Sequence, residues 1–349
     1  MSAERKNARN RRLAKNSLGY TKSDYEGGVS TLCQGCGHNS ISDCIVRACF
    51  ELSIEPHRLA KLSGIGCSSK TPAYFLGRSH GFNAVHGRMP AVATGANLAN
   101  RDLIYLGVSG DGDTASIGLG QFVHLVRRNL NMVYIVEDNG CYGLTKGQDS
   151  ATIDSGSSNR LGDINPFEPI DLVSMALQNG ATFVARAFAG DKKQLIPLLK
   201  AAISHRGLAF LDIISPCVTF NNHEESTKSF AYVRQHVASI PIDFVPMREE
   251  ILTSYREGTT QEVCMHDGST IRLHKTEIDF DIQSRHCAME ALHQHKKKGR
   301  ILTGLLYMDC NSEDLHHTLD TAAKPLSELT ELELCPGSRF LASINAGLR

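Results

Sequence analysis

Gly110-Asp111-Gly112-Asp113 directly follows an apolar run, Leu103–Ser109, that reads as a buried parallel strand. Residues 113–138, twenty-six in all, separate Gly112 from Asn139, which closes a second such run, Met132–Glu137. Both turns then sit at the carboxyl ends of neighbouring parallel strands, where open α/β sheets bind ligands. Glycines let a phosphate approach the backbone and leave N–H groups free at the following helix start. Asp111 and the amide oxygen of Asn139 are hard oxygen donors, suited to Mg²⁺ bridging a diphosphate. Gly-Asp-Gly alone is a common turn. The spaced Asn and the strand–helix–strand context make it a diphosphate–Mg²⁺ site.

The chain has 11 cysteines and no apolar stretch after its basic start that would act as an export signal. A disulfide framework is therefore a poor reading, and metal, cluster or redox chemistry a better one. Cys33-Gln34-Gly35-Cys36-Gly37-His38 carries a CxxC, and no second close pair exists to complete a zinc ribbon. No strand precedes it, which weakens a thioredoxin-like dithiol. Cys67, in Gly64-Ile65-Gly66-Cys67-Ser68-Ser69, and Cys217, after Pro216, also sit at turns that follow strand candidates. One pair plus two singles can ligate a [4Fe–4S] cluster. Spacing alone leaves buried structural thiols as the alternative.

The elements that must position these residues follow from periodicity. Ser40–Leu52 and Ile117–Arg128 have helical spacing, and Ala181–Ala187 and Leu208–Ile214 read as further strands. Lys192–Ser204 reads as helical, with Pro197 bending it or marking its start. The alternation predicts an α/β fold: a doubly wound, mainly parallel sheet. Residues 1–30, with Arg5, Lys6, Arg9, Arg11, Arg12 and Lys15, read as a basic N-terminal arm. Residues 31–222 form the α/β domain. Residues 223–349 read as an appended C-terminal region that wraps the domain or meets a partner subunit, with short strands near Ile251 and Ile271 and an apolar run, Ile301–Met308. His293, His295 and Lys296–Lys298 look like a solvated helix end.

Lys plus Arg and Asp plus Glu each total 37. Zero net charge argues against nucleic-acid binding. No run of eighteen apolar residues is present, which argues against a membrane span. A cytoplasmic protein is expected.

Gly-Asp-Gly with an Asn some twenty-five to thirty residues on resembles the thiamin diphosphate motif. On that resemblance Asp111 and Asn139 coordinate Mg²⁺ by side chain and Cys141 by its backbone carbonyl. Asp138 departs from the usual Asn-Asn ending, at a position not expected to be a ligand. The order CxxCGH, GIGCSS, His86-Gly87-Arg88, GDGD, Tyr142-Gly143-Leu144-Thr145-Lys146-Gly147-Gln148 and a late Cys resembles the beta subunits of 2-oxoacid:ferredoxin oxidoreductases. VTFNNHEESTKS and ELCPGS resemble the longer, 2-oxoglutarate type.

The resemblance implies the thiamin diphosphate-binding fold, with a [4Fe–4S] cluster on Cys33, Cys36, Cys67 and Cys217. Ile65, Gly66, Cys67, Ser68 and His86 would line the thiamin site, while Gly112, Asp113 and Gly143 would hold the diphosphate. Lys70 and His86 are the implied catalytic residues, Lys70 as a cation for the 2-oxoacid carboxylate. Arg78 or Lys146 could meet a second substrate carboxylate, as could a partner residue. Cys44, Cys49, Cys264, Cys287, Cys310 and Cys335 match no cluster position and read as ordinary thiols.

The implied activity is oxidative decarboxylation of 2-oxoglutarate to succinyl-CoA and CO₂, with coenzyme A as co-substrate and ferredoxin as electron acceptor. Pyruvate or another 2-oxoacid, or a non-redox thiamin diphosphate decarboxylase or synthase, is the alternative. The carboxylate that activates the aminopyrimidine ring is not found in this chain, and the family places it on an alpha subunit. An alpha-beta or alpha2-beta2 assembly is therefore expected.

Overall fold

The computed structural model describes residues 14–157, 164–218, 251–265, 270–335 and 337–348. The basic residues Arg5 to Arg12, the segment after Val218 and the division at 222 lie outside them.

The strands are β1 (Leu59–Ser63), β2 (His80–Asn83), β3 (Ile104–Gly110), β4 (Met132–Asp138), β5 (Cys141–Tyr142), β6 (Gln148–Asp149), β7 (Phe183–Phe188), β8 (Leu208–Ile214), β9 (Thr260–Cys264), β10 (Thr270–Lys275) and β11 (Ile301–Met308). Nine of them form one sheet in the order β2-β1-β3-β4-β8-β7-β11-β10-β9. The first six in that order are parallel, β11 runs antiparallel to β7, and β5 and β6 form a separate two-residue ladder. The expected doubly wound, mainly parallel α/β sheet is present.

Helices α1 (Gly37–Glu51) and α5 (Lys192–Ser204) cover one face. Helices α2 (Met89–Ala99), α3 (Leu119–Arg128), α4 (Leu172–Gln178) and α6 (Arg285–Lys297) cover the other. Strands buried on both faces explain the unbroken apolar runs of β3, β4 and β8. Each face carries its own apolar core, with Ile41, Ile45, Leu106 and Leu199 in one and Phe122, Tyr134, Phe210 and Leu306 in the other.

Several expectations are corrected. Residues 14–28 are docked on the domain rather than forming an arm: Tyr25 is fully buried, its hydroxyl accepts from Asn16 Nδ2 at 2.8 Å, and it packs edge-on to Phe50. The C-terminal region is not merely appended. Its strands β9, β10 and β11 continue the main sheet, and Lys275 on β10 is buried in an ion pair of 2.6 Å with Asp191, the N-cap of α5. Ile251 lies outside any strand; the local strand is β9. Helix α5 runs through Pro197. The helix expected over 117–128 is present as α3, and a π-helical turn, Gly112–Ile117, that was not expected precedes it. Such turns re-aim backbone N–H groups and occur often at functional sites.

Candidate active site

Strands β1, β3, β4 and β8 are neighbours, and all four release their chains at the same sheet edge. Ile65–Ser68, Gly110–Asp113 and Asn139–Thr145 leave three of those ends and line one cleft of about 470 Å³, together with His38, His86 and Glu137. The order of strands reverses between β1 and β3, the type of position at which open α/β sheets bind ligands.

Close backbone approach builds the floor. A Cβ on Gly112 would stand 2.5 Å from the Tyr142 ring, whose hydroxyl donates to the Gly112 carbonyl at 3.0 Å. A Cβ on Gly64 would stand 1.8 Å from Asp113 Oδ2. The Asp113 carboxylate accepts from Gly87 N at 2.7 Å and from Ser109 Oγ at 2.8 Å. It therefore ties the His86–Arg88 turn to β3, and what Asp113 can offer a phosphate is its amide.

Asp111 is buried, and burial pushes its carboxyl up. Neutral donors hold it: Ser150 Oγ, Thr152 Oγ1 at 2.7 Å and Asn139 N at 3.4 Å. Thr152 also donates to Asp138 at 3.0 Å, so two acidic side chains share one hydroxyl. Burial first, and Asp111 next, raise the Asp138 carboxyl well above its usual range. Among the described residues neither carboxylate has an ion pair. Asn139 Oδ1 accepts from Cys141 N at 3.1 Å in a tight turn, where Gly140 adopts a positive φ of 72°. A buried and a half-buried acid without a basic partner among the described residues, beside an amide oxygen and a main-chain carbonyl, make a donor set that fits a hard divalent cation.

The cysteines converge on the same edge. The CxxC turn places Cys36 at the N-cap of α1, and Gly37 N donates to the Pro216 carbonyl at 3.1 Å. A Cβ on Gly37 would stand 2.9 Å from Pro216 N, so only glycine lets α1 approach the turn that carries Cys217. Burial raises the Cys36 thiol, and Cys217 and Cys33 add to the shift. Burial, then Cys217, pushes Cys67 up to about 11. These mutual effects put Cys33, Cys36, Cys67 and Cys217 in one group, with no disulfide among them. Among the described residues no three of their sulfurs lie within 4.8 Å of one another. Four thiolates around one zinc ion, with Zn–S of about 2.3 Å, would stand only about 3.8 Å apart.

Two buried residues stand between the cysteines and the cleft. His38 Nδ1 lies 2.5 Å from Ser215 Oγ and 3.4 Å from Glu137 Oε2. Burial lowers the His38 pKa to about 4 and raises the Glu137 carboxyl well above its usual range. Neither was among the candidates from sequence. His38 was legible as part of CxxCGH, whereas nothing local marks Glu137, the sixth residue of an apolar strand.

The structure brings Ile65, Gly66, Cys67, Ser68, His86, Asp111, Gly112, Asp113, Asn139, Cys141 and Gly143 to one cleft. Lys70 does not line it; it lies on the turn after Cys67, close enough to lower the Cys67 thiol. Arg78 is engaged elsewhere, over the Tyr20 ring and 3.4 Å from Asp24, and Lys146 is exposed on the loop joining β5 to β6. Cys141, expected to act through its carbonyl alone, also buries its thiol against Cys217. Cys44 and Cys49 belong to the α1 core, while Cys264, Cys287, Cys310 and Cys335 do not line the cleft.

Residues 64–213 match the family described as thiamine pyrophosphate enzyme, C-terminal TPP binding domain. The 2-oxoacid:ferredoxin oxidoreductase subunit beta of a Sulfolobus species is 44% identical over 191 residues, covering 54% of this chain and 63% of the relative. The 2-oxoglutarate synthase subunit KorB of Methanocaldococcus jannaschii is 35% identical over 219 residues, 62% of this chain and 76% of the relative. The chain thus spans a little under two thirds of the length of relatives such as the Sulfolobus protein. A solved structure of 2-oxoglutarate:ferredoxin oxidoreductase from Magnetococcus marinus, with 2-oxoglutarate, coenzyme A and succinyl-CoA bound, superposes with a TM-score of 0.69 at 33% identity. That match covers 88% of this chain and 91% of the other.

Proposed function

The chain belongs to the family of 2-oxoacid:ferredoxin oxidoreductase beta subunits, and from that premise we propose that it oxidatively decarboxylates a 2-oxoacid, 2-oxoglutarate in the first place, to the acyl-CoA and CO₂, with electrons leaving through a [4Fe–4S] cluster to ferredoxin. The observation that carries this reading is the shared sheet edge: the paired-acid cleft and the four converging cysteines meet at the ends of β1, β3, β4 and β8.

Asp111, the Asn139 amide oxygen and the Cys141 carbonyl would hold Mg²⁺, while amides of the Gly112–Asp113 turn and Gly143 would face the diphosphate. Thiamin diphosphate, when bound, supplies the electron sink for decarboxylation. Cys33, Cys36, Cys67 and Cys217 would hold the cluster, which supplies a one-electron acceptor. Ile65–Ser68 would wall the thiamin, and His86 stands exposed at the rim, where a substrate enters. The buried His38–Glu137 pair would help wall the cleft on the side of the CxxC turn. Lys70 would act on the Cys67 side rather than on a substrate carboxylate, because it does not line the cleft.

2-Oxoglutarate as substrate is supported by the M. jannaschii and M. marinus relatives, whose names carry it. Neither Arg78 nor Lys146 lines the cleft, so the cation for its second carboxylate would come from the alpha subunit. The test is anaerobic ferredoxin reduction by the co-expressed complex, dependent on both 2-oxoacid and coenzyme A. 2-Oxoglutarate should exceed pyruvate as substrate. Equal rates, or pyruvate alone, would overturn the substrate; decarboxylation without ferredoxin reduction would overturn the redox reading.

A further inference from the structure

Far from the cleft, β9, β10 and α6 bring two histidines and a glutamate together. His274 lies on β10 and is buried, Glu277 follows that strand, and His295 stands in the last turn of α6. One donor atom from each lies within 4.8 Å of the other two. We propose that His274, Glu277 and His295 form a binding site for a divalent first-row transition ion of the zinc class.

Each ligand is prepared in a different way. The His274 Nδ1 is 2.8 Å from Thr260 Oγ1 on the neighbouring strand, which fixes the ring and turns Nε2 toward Glu277 Oε1 at 3.1 Å. A hydrogen bond of this kind on the remote nitrogen is the usual outer-shell partner of a metal-binding histidine. The His295 Nδ1 is buried and has no hydrogen-bond partner. Its ring stacks on His274 with centroids 4.3 Å apart and an interplanar angle of 29°. A rotation of the His295 ring about its χ2, with a small shift of the exposed Glu277, closes the three donors to the separation of about 3.4 Å that Zn–N bonds of about 2.1 Å require.

Two imidazoles and one carboxylate, with no thiolate, select zinc, cobalt or nickel over magnesium or calcium. Three protein ligands leave a fourth position to water, and Glu277 opens the site to solvent. An ion here would tie the C-terminal end of α6 to β10.

The experiment is anaerobic equilibrium dialysis of the cluster-loaded complex against ZnCl₂, with zinc and iron counted per chain and the zinc shell read by X-ray absorption. Wild type should hold one zinc more than Glu277→Gln and one more than His295→Gln, with iron unchanged and only nitrogen and oxygen around the added ion. Zinc should also raise the melting temperature of wild type and of neither variant. Equal zinc in wild type and Glu277→Gln, or a sulfur-ligated added ion, would overturn the site. Glu277 is exposed, so its variant reads the site even where a histidine variant folds poorly.

Discussion

Asp111 is the residue on which the diphosphate end of the cleft depends. Its carboxylate sits among Ser150, Thr152 and Asn139 without a basic partner, and replacing it by Asn keeps the shape while removing the charge a cation needs. Asp111→Asn should weaken Mg²⁺-dependent thiamin diphosphate binding on the order of 100-fold or more, read by calorimetry on the co-expressed complex. Glu137 behaves differently. Among the described residues both its oxygens are buried without a hydrogen-bond partner, and burial raises its carboxyl well above the usual range. Glu137→Gln should therefore change stability by less than about 1 kcal/mol. Glu137→Ala opens a void beside His38 and should cost about 2–3 kcal/mol by denaturant melting. At this scale the sequence was legible where chemistry needs a rare type at a turn, as for Cys33, Cys36, Cys67, Asp111 and Asn139. It was silent on Ser150 and Thr152, because a hydroxyl that holds a carboxylate looks like any loop residue until the chain folds back.

At the scale of elements, the site rests on approaches that only glycine permits and on one ion cluster inside the sheet. Gly64→Ala would drive a methyl into Asp113 Oδ2 and free the His86–Arg88 turn. A loss of about 1–3 kcal/mol in thermal melting is the expected cost of such overpacking. Arg186 on β7 is buried between Asp212 on β8, at 2.8 Å, and Asp171 at the N-cap of α4, at 2.5 Å. Arg186→Met leaves two largely buried carboxylates without a counter-ion and should cost about 3–5 kcal/mol.

The pH dependence follows from the same cluster. Burial would raise the Asp171 carboxyl, but Arg186 and the Ser174 hydroxyl and amide together outweigh it and hold the carboxyl below the usual carboxylate range. Unfolding then takes up a proton on acidification. The stabilisation is present above that pH and fades as pH falls through the lowered pKa. Asp171→Asn should flatten this acid limb in melts below about pH 4. Strands β3, β4, β7 and β8 were legible as apolar runs because both their faces are covered. The π-helical turn after Asp111 was not, since its backbone is set by Gly87 and Gly118 packing together rather than by local periodicity.

The whole molecule is more continuous than its sequence suggested. Charge-rich residues beyond 250 hid that β9, β10 and β11 continue the main sheet, because outer strands with one wet face lose the unbroken apolar pattern that marks central ones. The basic start hid a docked segment, in which Tyr25 is buried and Lys22 pairs with Asp43. Around the cleft mouth Val85, Ile117 and Leu144 are exposed apolar side chains, on turns that also carry or touch site residues. An alpha subunit that closes the cleft would cover them. Leu144→Asp should break the complex in size-exclusion chromatography while leaving the melting temperature of the isolated chain within about 1 °C, since surface changes cost within about 0.5 kcal/mol. The purified single chain should not turn over 2-oxoacid.

Most direct of all is anaerobic iron and acid-labile sulfide analysis of the co-expressed complex, with electron paramagnetic resonance after dithionite reduction. The prediction is one [4Fe–4S] cluster held by this chain, lost on Cys217→Ala with the chain still folded. Thiamin diphosphate bound with no iron on this chain would contradict it and leave Cys33, Cys36, Cys67 and Cys217 as structural thiols.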